Sequence, residues 1–102
     1  MLKKRLFFIS LLVFFSATVN ISMAADAAIG KEKSMLCSGC HGADGISLSP
    51  DIPNLASQKE AYLAKAIKDF KTGNRKNPMM NSIAQGLSDN DIANLAAYYS
   101  DL

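Results

Sequence analysis

The residues best suited to chemistry lie together in one short segment, Cys37-Ser38-Gly39-Cys40-His41, which holds both cysteines and the only histidine of the chain. Cys-x-x-Cys-His is the attachment signature of covalently bound haem. The two thiolates add to the haem vinyl groups, and the adjacent imidazole binds the iron from one face. Cys37 and Cys40 are therefore the predicted covalent haem ligands. Because the chain has no second histidine, His41 is the predicted proximal iron ligand.

Three other uses of this pair of cysteines fit less well. A thioredoxin-like redox pair shares Cys-x-x-Cys, but it belongs to a βαβ pattern that this sequence lacks. Structural zinc needs four Cys or His ligands, and the chain has three. A disulfide between Cys37 and Cys40 would close a very short loop, which yields little entropic stabilisation.

The sixth iron ligand is predicted to be a methionine, whose thioether raises the reduction potential. Of the five methionines, Met1 and Met23 lie in the N-terminal segment that we expect to be removed, and Met35 is too near Cys37 to reach the opposite haem face. Met79 and Met80 remain.

Helical periodicity separates these two candidates. Met80 shares an i, i+3, i+4, i+7 stripe with Ile83, Ala84 and Leu87, whereas Met79 lies about 100° away around a helix. Met80 is therefore the predicted axial ligand and Met79 the alternative. Without haem, the two residues would be read as flexible fillers of an apolar core.

The N-terminus is typical of a secretory signal peptide. Lys3-Lys4-Arg5 is followed by an apolar run from Leu6 to Phe15, and Ser22-Met23-Ala24 resembles a cleavage site. A retained anchor is the alternative, but the run is shorter than the roughly 20 residues of a membrane-spanning helix. We predict that residues 1–24 are cleaved, that residues 25–102 form one domain without a membrane span, and that the protein is periplasmic.

Removal of this segment changes the charge balance. It takes three of the 11 basic residues and none of the nine acidic ones, so the formal net charge of +2 becomes −1. A basic surface for nucleic acid is therefore not expected. So small a domain seldom folds on one apolar core alone, and a buried cofactor would supply the missing stabilisation.

The elements around the motif are predicted to be helices. A helix from Ala27 to Leu36 should lead into Cys37, and a loop should follow from Ala43 to Ser57, where Gly and Pro recur. Ser57 and Glu60 have capping-box spacing for a second helix that ends near Gly73.

Two further helices complete the prediction. A short one carries the stripe that begins at Met80, and a final one is capped by Ser88, with Asp89 and Asp91 in its first turn. No segment has the pattern of a strand ladder, so the predicted fold class is all-α.

The order of several motifs resembles the small class I bacterial cytochromes c, both single-haem carriers and the halves of two-haem relatives. The matching segments are Cys37 to Gly45, Pro53 to Gln58, Tyr62-Leu63, Phe70 to Arg75 and Leu87 to Tyr99. The resemblance implies the class I fold, with several helices around one covalently bound haem c.

The resemblance also implies roles for single residues. It places the axial methionine seven positions before Leu87, at Met80, and it makes the Pro53 carbonyl the hydrogen-bond acceptor of the second His41 ring nitrogen. Relatives often have Gly at the position of Ser57, where we expect serine to strengthen the helix cap. Arg75 is read as a solvated loop residue rather than a partner of a haem propionate.

The function implied is electron transfer without catalysis. We expect a monomer that carries single electrons between redox proteins, such as a membrane oxidoreductase complex, a terminal oxidase, a reductase or a dehydrogenase, with Ile46 and Met79 near the exposed haem edge. The main alternative is an electron-accepting subunit of a dehydrogenase, for example a sulfide-oxidising flavoprotein complex. A haem sensor or a peroxidase-like enzyme would instead need a displaceable sixth ligand.

Overall fold

Five helices make up the regular structure of the described part of the chain. The computed structural model describes residues 3, 9–19 and 24–102, and its helices are α1 (Ala27–Lys33), α2 (Met35–His41), α3 (Glu60–Thr72), α4 (Pro78–Gln85) and α5 (Asp89–Ser100). No strand occurs in these described ranges. The all-α prediction is confirmed.

The helix that was predicted from Ala27 to Leu36 is divided at Ser34. The Ser34 hydroxyl donates to the carbonyl of Lys31 at 2.6 Å, and its N–H is shared between the carbonyls of Gly30 and Lys31. Such back-bonding of a serine to the preceding turn competes with regular helix geometry. The Cys-x-x-Cys-His motif therefore has a helix of its own, α2.

The core forms where α1 and α3 pack on α5. At the α1–α5 crossing, a Cβ atom on Gly30 would lie 2.0 Å from the carbonyl oxygen of Asn94, so only glycine permits this approach. Asn94 also accepts a hydrogen bond from the backbone N–H of Asp26 at 2.8 Å. The buried cluster comprises Leu63, Leu87, Ile92, Leu95, Ala96 and Tyr99.

The predicted capping box of Ser57 and Glu60 is wrong. Lys59 is the N-cap of α3, without a side-chain hydrogen bond, and Ser57 has φ 60°. The Ser57 N–H donates to the carbonyl of Tyr99 at 3.0 Å, so a tertiary contact holds the serine in the left-handed region. The serine adds strain at a position where glycine would be relaxed. The predicted end of this helix is correct, because Gly73 is its C-cap with φ 80°.

Both later helices have side-chain caps. Asn77 caps α4 by accepting from the N–H of Met80, and Pro78 occupies the first helical position. Ser88 and Asp91 form a reciprocal capping box at α5, as each side chain accepts from the backbone N–H of the other. Leu87 lies just beyond α4 and is buried, although the apolar stripe had included it in that helix.

The predicted leader is described only in part. Residues 9–19 contain no helix or strand, and all of their side chains are exposed. Most of the charged start and most of the proposed cleavage site, which includes Ser22 and Met23, lie outside the described residues. In the part of the chain that is described, no helix is both long and apolar enough to cross a membrane.

Candidate haem site

A cavity lies between the loop that follows Pro53 and the helices α3 and α4. It encloses about 680 Å³, counting the part that is open to solvent. Its lining residues are His41, Pro53, Asn54, Leu55, Gln58, Tyr62, Leu63, Ala66, Ile67, Phe70, Arg75, Met80 and Tyr99. Most of these side chains are apolar, and such a cleft with few polar groups is typical of a cofactor site.

His41 enters this cavity with a defined ring orientation. It is the last residue of α2 and is buried, with 8% of its surface exposed. Its Nδ1 lies 2.7 Å from the carbonyl oxygen of Pro53. Because a carbonyl can only accept, we assign the ring proton to Nδ1, which leaves the Nε2 lone pair free. The contact implied by the family resemblance is present.

The two candidate methionines have different surroundings. Met80 is half-buried and lines the cavity, whereas Met79 is 64% exposed and is not part of the lining. His41 and Met80 therefore reach one cavity from two helices that are far apart in sequence. The helical-face argument predicted this difference, and iron ligation by Met80 stays a prediction.

Both cysteines of the motif lie on α2, and they form no disulfide with each other. Cys37 is half-buried and packs against the core, while Cys40 is exposed. Burial raises the pKa of the Cys37 thiol, and a hydrogen bond with Tyr99 opposes this effect. Burial also raises the pKa of the Tyr99 hydroxyl. Tyr99 thus links the first cysteine to the cavity wall.

Arg75 is the charged member of the lining. Its guanidinium carbon lies 4.7 Å from the ring centroid of Phe70, in a cation–π arrangement. Arg75 is an exposed residue of the loop between α3 and α4. Its position in the cavity lining nevertheless leaves a cation next to an apolar cleft.

These residues fit a haem better than any small polar ligand. The cavity offers apolar walls, one imidazole nitrogen with a free lone pair and one thioether, and α2 offers two thiols three residues apart. A planar apolar macrocycle with an iron centre and two vinyl groups uses each of these features.

Comparison with known proteins decides the family. The Cytochrome c family model matches residues 27–102. The chain belongs to the cytochrome c family. Haem c is attached through Cys37 and Cys40 of the Cys-x-x-Cys-His motif. The predictions of cofactor and fold are confirmed, and electron transfer is the function that fits this cytochrome and its relatives.

Among its relatives, cytochrome c-554(548) of Halomonas halodenitrificans is 50% identical over 80 residues, which cover 76% of this chain and 96% of that protein. Reduced recombinant cytochrome c4 of Pseudomonas stutzeri superposes with a TM-score of 0.72 at 41% identity, over 76% of this chain and 45% of that one. The cytochrome subunit of sulfide dehydrogenase of Chlorobaculum tepidum is 37% identical over 73 residues, 72% of this chain and 66% of that protein. This cytochrome therefore spans about half the length of its cytochrome c4 relatives.

The sequence interpretation missed two residues next to the site, Asn77 and Asn81. The dipeptide Asn77-Pro78 is a recognisable helix start, since Asn is a favoured N-cap and Pro is favoured at the first helical position. That signal would have placed the start of α4 correctly. No local signal marks Asn81, whose partners Phe70 and Arg75 lie in other segments.

Proposed function

We propose that this cytochrome is a periplasmic carrier of single electrons whose haem iron is bound by His41 and Met80. The observation that carries the proposal is the shared cavity, in which the His41 ring and the Met80 thioether both line an apolar cleft. Met79, the alternative ligand, is exposed to solvent and lies outside that lining.

Each residue has a separate task in this function. The Pro53 carbonyl holds the Nδ1 proton of His41 and so orients Nε2, as second-shell partners generally do for metal-bound imidazoles. Met80 supplies a thioether, which favours the ferrous state and raises the reduction potential. The haem supplies the one-electron couple. Apolar walls from α3, including Leu63 and Ile67, exclude water and limit the reorganisation that accompanies the charge change.

No substrate needs to reach the metal in this function. With His41 and Met80 both holding its iron, the haem would exchange electrons through an exposed edge rather than through an open coordination position. Ile46 and Met79, the residues proposed for the rim of that edge, are both exposed apolar side chains available to a partner.

The test is the visible spectrum of the protein expressed with its leader alongside the haem-attachment machinery, before and after acid-acetone extraction. We expect haem that resists extraction, sharp low-spin bands in the reduced state, and the weak red charge-transfer band of thioether-bound ferric iron. Extractable haem would contradict covalent attachment. Covalent but high-spin haem would contradict Met80 and favour a sensor or peroxidase-like enzyme.

Periplasmic location and cleavage before Ala25 are parts of the same proposal. The Lys3-Lys4-Arg5 segment and the apolar run that follows support export. The intact mass and N-terminal sequence of protein released from the periplasm provide the test. A mature chain that begins within a residue of Ala25 is expected, and a full-length chain retained in the membrane would contradict cleavage.

A second candidate is an electron-accepting subunit of a dehydrogenase, and the similarity to the cytochrome subunit of sulfide dehydrogenase favours it. Exposed apolar side chains, among them Met35 and Leu48, would suit a permanent partner. Size-exclusion chromatography of the native protein separates the two functions. A monomer is expected for the carrier, and stable co-purification with one dehydrogenase would support the subunit.

A further inference from the structure

The side chain of Asn81 joins three segments beside the proposed ligand Met80. Its Nδ2 donates to the carbonyl of Phe70 at 2.7 Å and to the carbonyl of Arg75 at 2.8 Å. Its Oδ1 accepts from the backbone N–H of Asn77 at 2.9 Å. One half-buried amide therefore connects the end of α3, the loop after it and the start of α4.

Asn77 completes this arrangement from the other side. Its Oδ1 accepts from the backbone N–H of Met80 at 3.0 Å, and its carbonyl accepts from the N–H of Asn81 at 2.8 Å. The backbone of Met80 thus lies between two asparagines that bind each other. The first turn of α4 is held by side chains as well as by its own helical hydrogen bonds.

Such support matters because α4 has eight residues and cannot be stable by itself. It packs mainly on α3, and the connecting loop has one further backbone anchor, from the Arg75 N–H to the carbonyl of Asp69 at 3.0 Å. Without Asn81, the Phe70 carbonyl keeps only the longer bond from the Gly73 N–H at 3.3 Å and the Arg75 carbonyl loses its Asn81 donor. The start of α4 is then less firmly held.

We propose that Asn81 is a positioning residue that keeps the Met80 thioether on the haem iron. The inference rests on the proposed axial role of Met80. A competing ligand can bind the iron only when Met80 leaves, and withdrawal of Met80 moves the first turn of α4. The three hydrogen bonds of Asn81 oppose that movement, so their loss makes displacement of Met80 easier.

The experiment is a titration of the haem-loaded ferric protein with imidazole. Binding is monitored as the loss of the thioether charge-transfer band. Asn81→Asp preserves the shape and the acceptor for the Asn77 N–H, but it turns a carboxylate oxygen towards two carbonyls. We expect its imidazole dissociation constant to fall about tenfold, the size of effect that two lost hydrogen bonds of ordinary strength produce. Asn81→Ala adds no charge, and its imidazole dissociation constant should fall as well.

Two controls separate positioning from general stability. Asn74→Ala replaces an exposed asparagine of the same loop and should bind imidazole as the wild type does. Gly30→Ala destabilises the distant α1–α5 crossing and should also leave imidazole affinity unchanged. An affinity of both Asn81 variants within twofold of the wild type, or an equal gain in Gly30→Ala, would overturn the inference.

The same titration tells this failure apart from failure of the proposed function. If the wild-type protein lacks the charge-transfer band, Met80 is not the ligand and the ligand set itself is wrong. If the band is present and the Asn81 variants behave as the wild type, the ligand set stands and the positioning role is rejected.

Discussion

At the scale of single residues, the proposed ligand Met80 and its neighbour Met79 form a natural pair of variants. We expect Met80→Ala to open the iron to added ligands and to lower the reduction potential by about 0.1–0.2 V, a fraction of the range that axial ligands cover. Met79→Ala should do neither, since its side chain is exposed. Potentiometry and the charge-transfer band measure both effects. A lowered reduction potential in Met79→Ala alone would mean that Met79, and not Met80, is the iron ligand.

Ser57 offers a second test at this scale, because two interpretations of it predict different signs. With φ 60°, serine has backbone strain in the folded state that glycine would not have. Relief of this strain, about 1–2 kcal/mol, exceeds the roughly 0.5–1 kcal/mol of extra entropy that glycine loses on folding, so Ser57→Gly should raise the free energy of unfolding by about 0.5–1 kcal/mol. If Ser57 were instead a helix cap, the same change would lower stability by a few tenths of a kcal/mol. Denaturant unfolding of the haem-loaded protein decides between them.

At the scale of elements, the α1–α5 crossing is the contact most sensitive to one added methyl group. A Cβ atom at Gly30 would lie 2.0 Å from the backbone oxygen of Asn94, which cannot move without displacing α5. We expect Gly30→Ala to cost about 2–3 kcal/mol of unfolding free energy, as overpacked sites do.

Gly86→Ala is the matched control for this change. Gly86 has φ −78°, and its nearest neighbour to an added Cβ is the Ile83 carbonyl at an ordinary 3.6 Å. Gly86→Ala should change the unfolding free energy by no more than about 0.5 kcal/mol. Equal losses of stability in the two variants, measured by thermal or denaturant unfolding, would mean that the helix crossing does not depend on glycine.

At the scale of the whole molecule, the cofactor is expected to be part of the core. The buried cluster is small, and α3, α4 and the loop after Pro53 all contribute walls to the cavity that His41 and Met80 line. Residues 27–102, which match the family model, bury too little apolar surface to keep an empty cleft open. The haem-free protein should therefore have an unfolding free energy near zero.

The Cys37→Ala, Cys40→Ala double variant, expressed without haem-attachment machinery, provides that haem-free chain. Far-ultraviolet circular dichroism should show much less helix than the haem-loaded protein, and unfolding should lose its cooperativity. A sharp, native-like transition in the double variant would show that the five helices fold without the cofactor.

Much of this molecule could be predicted from local signals. The haem attachment site needs five consecutive residues, and caps such as Ser88 with Asp91 or the Gly73 helix end act within one turn. Apolar stripes placed α3 and α5 and distinguished Met80 from Met79, because helical periodicity depends on neighbours three or four positions away. These are interactions between residues close in sequence, so the sequence by itself determined them.

Contacts between distant segments decided the rest. Ser57 has a positive φ, and its N–H donates to the carbonyl of Tyr99. Glycine is required at position 30 because the backbone of Asn94 on α5 lies against it. The two carbonyls that accept from the Asn81 side chain belong to other segments. Nothing within a few residues of Ser57 or Asn81 specifies those partners. Only the tertiary structure brings them within hydrogen-bond distance, because the partner depends on how helices pack rather than on the local chain.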